Sequence, residues 1–221
     1  MKNPKRLYIV VEGQTEAEFV ESVLRPHFIN KGIYFVEPVI IHTSKGHKGG
    51  FVRFQHLRND VLKLLKQQSD VIVSTFVDFF RIPTSMPHYE KCMEKRAIED
   101  KIMCLEAHTA ASINDRRFIP YIQKHEFEAL LFASNVGFEK YFEAAIFEKT
   151  QAIIDTYPNP EDINNNPQTA PSKRLETITQ KNYDKINDGN TIALEIGIQV
   201  ILEKCPRFKA WVEQLEVLIL K

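Results

Sequence analysis

The chain's 221 residues suit one α/β domain with additions, and an apolar share of 43% is ample for a buried core. Basic and acidic residues balance at 29 each, so no overall field draws the protein to nucleic acid. No stretch approaches the roughly 20 apolar residues of a membrane span, and the apolar run after Met1–Arg6 is too short for a signal peptide.

The first predicted strand is 6–12, where Leu7-Tyr8-Ile9-Val10-Val11 reads as a strand covered on both faces. Gly13 allows a turn, and Thr15 with Glu18 fits a capping box that opens a helix running toward Lys31. A second strand is expected over 33–41, with Pro38 marking a bulge or an edge. A glycine-rich loop, Ser44 to Gly50, leads to a helix carrying Leu57, Val61, Leu64 and Leu65. The third strand is 71–77, ending in Asp78; a helix over 88–110 and a fourth strand over 118–123 follow. Parallel neighbours need crossover connections, so this order implies a mostly parallel four-stranded sheet covered by helices, spanning 1–125. Residues 126–221 read as a helical C-terminal extension packed on that core. It has helices over 126–133 and 138–156, an irregular Pro/Asn-rich loop over 157–171, and two closing helices around Ala193–Ile201 and Phe208–Leu218. Cys92, Cys104 and Cys205 are an odd, scattered set without CxxC or Cys/His zinc spacing, which predicts reduced thiols and a cytoplasmic protein.

The chemistry concentrates in acids at strand ends. A buried strand has no packing reason to end in a carboxylate, and in open α/β sheets the carboxyl ends of the strands form the ligand crevice. Glu12 and Asp78 therefore share one rim, joined by Lys124-His125-Glu126-Phe127-Glu128 after the fourth strand. Carboxylates brought together repel unless a proton or a cation lies between them. Magnesium, or manganese, suits such a set, since it takes hard oxygen ligands from one or two carboxylates together with waters and phosphates. Glu126 is favoured over Glu128 as the third ligand because it is nearer the strand end. Glu16, one helical turn past Glu12, is a further candidate, whereas Glu18 is expected to cap.

Val10-Val11-Glu12-Gly13-Gln14-Thr15-Glu16, followed by a strand ending in Asp78, resembles the Toprim domain of topoisomerases, primases and overcoming-lysogenisation-defect nucleases. The resemblance covers roughly residues 6–125. It implies a Toprim-like, Rossmann-like core with Glu12 as general acid or base and Asp78 as a magnesium ligand. The chain departs from the family where Asp-x-Asp is expected and Asp78-Phe79-Phe80 stands; Glu126 or Glu128 would then supply the lost ligand. The whole chain, including the HEFEALLF segment, looks like a bacterial family of uncharacterised proteins placed near Toprim. Such families often accompany ATPases in phage-defence loci.

Two segments are candidates for holding phosphate. Lys45, His47, Lys48 and Gly49 lie in the glycine loop on the same rim, although the GxxxxGK[ST] spacing of a Walker motif is absent. Lys173 and Arg174 follow Thr169-Ala170-Pro171-Ser172, a suitable helix start. The expected function is a magnesium-dependent nuclease acting on DNA or RNA, with an ATPase partner and no membrane contact, as a monomer or homo-oligomer. The alternative is a catalytically degenerate Toprim-like protein that binds an ATPase or a nucleotide.

Overall fold

The computed structural model describes residues 6–44, 47–48, 50–67, 69–163, 166 and 168–220. Strand β1 (Arg6–Val11) is central. It pairs in parallel with β2 (Val36–Ile40) on one side and β5 (Val71–Asp78) on the other. A short antiparallel ribbon, β3 (His42–Ser44) with β4 (His47–Lys48), stands apart. The fourth predicted strand is present as two pieces, β6 (Phe118–Ile119) and β7 (Ile122–Gln123), both parallel to β5. Pro120, which has no N–H to give a ladder, lies in the break between them. The sheet order is β2-β1-β5-β6, with β7 also on β5, giving five strands where four were expected. Pro38 lies in β2, an edge strand, where a missing donor costs least.

Both sheet faces are buried. Leu7, Ile9, Val11, Ile72 and Phe76 enter one core, together with Phe19 and Phe28 of the first helical run and with Phe127, Phe208 and Trp211 from the C-terminal half. Tyr8, Val10, Val71, Val73 and Val77 enter a second core with Leu57 and Val61 of the helix Phe54–Gln67 and Ile102 and Leu105 of the helix Ile98–Ile113. The alternation of strand side chains thus serves two apolar layers rather than one. Trp211 stacks on Tyr121, with ring centroids 4.4 Å apart, and donates through its indole N–H to Ser74 Oγ at 2.8 Å. Among the described residues no helix is long and apolar enough to cross a membrane.

Several predicted helices are broken, each at an identifiable place. Gln14–Phe19, Val20–Leu24 and Arg25–Asn30 form one run with a π-helical middle, and Pro26 sits at the start of its last part. The helix expected over 88–110 is two, Tyr89–Met93 and Ile98–Ile113, separated by the polar stretch Glu94-Lys95-Arg96 and extended backbone at Ala97. This break folds Cys92 onto Cys104, and the two form a disulfide, where free thiols were expected. Phe142 and Glu143 are extended and divide Val136–Tyr141 from Ala144–Thr156. Gly197, at φ 77, divides Asn187–Ile196 from Ile198–Lys204, before the last helix Pro206–Leu220. The segment Phe127–Ala133 is a 3-10 helix.

Candidate metal centre

The chain passes from β1 to β2 on one side and then returns across β1 to β5 on the other. The crevice between the carboxyl ends of β1 and β5 is therefore the switch point of the sheet. Register pairs Val11 with Phe76, which places Glu12 and Asp78 on that rim. After β7, His125 turns the chain back in the left-handed region at φ 68, and the buried 3-10 helix Phe127–Ala133 begins. The N–H of Phe127 donates to Asp78 Oδ1 at 2.9 Å, which fastens the HEFE segment to the end of β5.

Four acids gather here: Glu12, Glu16, Asp78 and Glu128. Glu12 accepts from the backbone N–H groups of Phe51 and Asp78. Its own carbonyl accepts from Gly50 at 3.0 Å, so the loop after β4 returns to the rim. Glu16, buried, accepts from the N–H of Gly13 at 3.0 Å. The helix begins at Gly13 rather than at Thr15, so Glu16 takes the capping position assigned to Glu18, which is exposed. A Cβ on Gly13 would lie 3.3 Å from Glu16 Oε2, so glycine here makes room for the carboxylate. Glu128 is fully buried, and neither of its oxygens accepts a hydrogen bond.

Electrostatics mark these groups as crowded. Burial, then the Glu16 carboxylate, raises Glu12. Burial raises Asp78 well above its ordinary value; Lys185 opposes this, while Glu16, Glu12 and Glu128 add to it. Glu128 is pushed up to about 7, first by burial, with Lys185 opposing and Glu126 and Glu16 adding. Uncompensated buried charge costs several kcal/mol per ion, so such a set needs protons or a cation.

Among the described residues Lys185 pairs with these acids. The half-exposed Lys185 places Nζ 3.3 Å from Glu128 Oε1 and 3.8 Å from Glu16 Oε1. Burial alone would lower this ammonium, but Glu128, Asp78, Glu16 and Glu126 more than reverse that. Lys185 comes from the turn before the helix Asn187–Ile196, about a hundred residues from Asp78, and no sequence pattern pointed to it. With Lys185 among them, no three of the carboxylates offer oxygens within 4.8 Å of one another among the described residues. The donor set still suits a hard divalent ion. It is all oxygen, and the Glu128 oxygens accept no hydrogen bond; the nearby Tyr183 hydroxyl, raised by burial and then by Glu128, has no partner either among the described residues.

The remaining predicted residues fall elsewhere. Glu126 lies close enough to raise Glu128, but both its oxygens are taken by Ser172, Oε2 from the backbone N–H at 2.9 Å and Oε1 from the hydroxyl at 3.0 Å. It thereby caps the helix Pro171–Ile178 and fills the anion position that the sequence offered to a phosphate. Lys173 pairs with Glu176 on the same helix at 2.6 Å. Arg174 donates to the Thr169 carbonyl at 2.8 Å and lies over the Tyr157 ring. Lys45 and Gly49 lie outside the described residues, and for His47 and Lys48 the backbone alone is described. Phe79 joins the second core, while Phe80 carries the Arg81 guanidinium over its ring.

Two cavities flank this centre without enclosing it. One of about 360 Å³ is lined by Glu106, Tyr121, Lys124, Glu161, Arg207 and Trp211, none of them rim acids. The other, of about 410 Å³, lies between the first helix and the β2 edge, lined by Gln14, Glu18, Pro38 and His42. The acids line the ledge where β1 and β5 end, and none of them lines either cavity.

No curated protein and no solved structure matches the chain. The family model described as Domain of unknown function (DUF4276) matches residues 11–216, a span that includes every rim acid and Lys185; the chain belongs to that family.

Proposed function

We propose that this ledge is a divalent-cation site for hydrolysis of nucleic-acid phosphodiesters, in a Toprim-like nuclease. The observation that carries the reading is Glu128: a fully buried carboxylate whose oxygens accept no hydrogen bond, beside Glu12, Glu16 and Asp78, with the Lys185 ammonium 3.3 Å from Oε1. Asp78, Glu16 and Glu128 would hold Mg2+ or Mn2+, which when bound supplies Lewis-acid stabilisation of charge on the phosphoryl oxygens. Glu12, raised by its surroundings and the most exposed of the four, is suited to take a proton from attacking water or give one to the leaving oxygen. Sequence preference is not expected, since phosphate contacts carry no base information. A partner ATPase in a phage-defence setting would supply the gating.

A second reading has its own observation. Lys185 already occupies the space among the acids, and Phe79-Phe80 stands in place of a second aspartate. On that reading the ammonium replaces the ion permanently and the protein is a catalytically degenerate partner. Lys185→Met separates the two. If the centre holds metal, removing the competing ammonium tightens Mn2+ binding and leaves the fold intact. If Lys185 is a fixed counter-charge, the substitution destabilises the protein and no ion binds.

A further inference from the structure

A second cluster with metal-ligating chemistry lies outside the acidic ledge. His88 precedes the helix Tyr89–Met93, and Cys92 follows it by four positions. Cys104 and His108 are also four apart, on the helix Ile98–Ile113. Residues at i and i+4 share a helix face. A His-x3-Cys segment therefore meets a Cys-x3-His segment where the two helices pack. One donor atom each from Cys92, Cys104 and His108 lies within 4.8 Å of the others, the only such set of His, Cys, Asp or Glu among the described residues. The His88 ring stacks on that of His108, with centroids 3.9 Å apart.

The disulfide between Cys92 and Cys104 accounts for two of these four groups. It gives no reason for two imidazoles to converge on the same spot, one of them from a residue held at φ 55. Two thiols and two imidazoles are the donor set of a closed tetrahedral zinc site. The Cα–Cα separation of 5.5 Å allows either a bond between the sulfurs or two thiolates on one ion. Cys92 is fully buried, Cys104 and His108 are partly buried, and His88 is exposed, so the cluster is sealed on the core side and open to entry at His88.

We propose that Cys92, Cys104, His108 and His88 form a structural zinc site in the reduced protein, and that the disulfide is its oxidised, metal-free counterpart. Reduction by a phosphine, which leaves as its oxide with oxygen from water, gives two thiols. Each thiol loses one proton on binding Zn2+, and two neutral imidazoles complete the set. The site fastens the segment that leaves Asp78: Phe79, Ile82, Met86 and Cys92 share one core with Ile102 and Leu105. This inference is independent of the nuclease reading.

The test uses the full chain, purified under phosphine reductant and stripped of metal. Titration with Co2+ should develop the strong visible bands and thiolate charge transfer of a tetrahedral sulfur–nitrogen site, saturating at one equivalent of that signal per chain, and Zn2+ should bleach both. Cys92→Ser and Cys104→Ser should abolish the signal, and His108→Ala and His88→Ala should weaken binding at least about tenfold. Glu12→Gln should leave the stoichiometry at one. A reduced, folded wild-type chain that takes up no cobalt, or takes it up without thiolate charge transfer, overturns the site. Binding unchanged in His88→Ala overturns the four-ligand assignment.

Discussion

Two groups of buried carboxylates in this molecule look alike in sequence and behave differently in space. Glu126 and Glu161 each spend both oxygens on the start of a helix. Glu126 serves Ser172, and Glu161 accepts from the N–H groups of Arg207 at 2.8 Å and Phe208 at 3.1 Å. Glu12, Glu16, Asp78 and Glu128 share a crevice in which Glu128 has no hydrogen bond and one ammonium faces the whole set. Burial is common to both groups, so burial alone says little about function. What separates Glu126 and Glu161 from Glu128 is whether the protein itself completes the carboxylate's hydrogen bonds. A finished carboxylate holds the fold together, and an unfinished one is available for a ligand.

The sharpest way to break this comparison is activity. Glu12→Gln should lower Mg2+-dependent cleavage of a nucleic-acid substrate by about 10²- to 10⁴-fold, the usual range for losing a general acid or base, in a protein that remains folded. Nicking assays beside a melting curve check both halves; full activity in the variant would remove Glu12 from the reaction.

The next effect is on stability against pH. With Glu128 at about 7 in the fold and 4.5 as its ordinary value, the native state holds the proton more tightly than the unfolded chain. The metal-free protein should therefore lose stability as pH rises from about 4.5 to about 7, by on the order of 3 kcal/mol. His125, lowered to about 4 chiefly by burial, acts in the opposite direction, costing stability as pH falls from 6.5 toward 4. Denaturant curves of wild type and Glu128→Gln isolate the Glu128 contribution: the decline should be smaller in the variant, where Asp78 and Glu12, also raised, keep their share, and saturating Mg2+ should flatten it in wild type. A decline of equal size in wild type and Glu128→Gln would count against the assignment.

Among the finished carboxylates the sign is reversed. Glu161→Gln should destabilise by about 1–3 kcal/mol, since the amide presents one acceptor where two buried N–H groups need one each. Glu126→Ala should cost about 1 kcal/mol, as the loss of a helix cap, and leave metal affinity nearly unchanged. Equal losses at Glu126 and Glu128 in both stability and metal binding would erase the distinction drawn here.

Much of the scaffold was legible because its signals are local. The apolar runs of β1 and β5 announced strands covered on both faces, and their parallel pairing followed from the crossovers. The rim position of Glu12 and Asp78 followed from where those runs end. Pro38 at an edge followed from its missing donor. The remainder depended on contacts far apart in the chain. Glu126 and Glu128 differ only in which way a 3-10 helix turns them, and that turn is set by His125 at φ 68 and by the bond from Phe127 to Asp78. Lys185 arrives from a turn with no motif of its own. The Cys/His cluster does have a signal, the i,i+4 spacing on each of two helices, but reading 88–110 as one helix concealed it, because the break at Glu94–Ala97 is what brings the two faces together.

The most direct test is a calorimetric Mn2+ titration of wild type, Glu128→Gln and Cys92→Ser. A hard ion held by the crevice predicts one Mn2+ per chain in wild type and in Cys92→Ser, and little or none in Glu128→Gln. Absence of binding in wild type, or equal binding in all three, would mean that Lys185 alone satisfies the acids and that the ledge is not a metal centre.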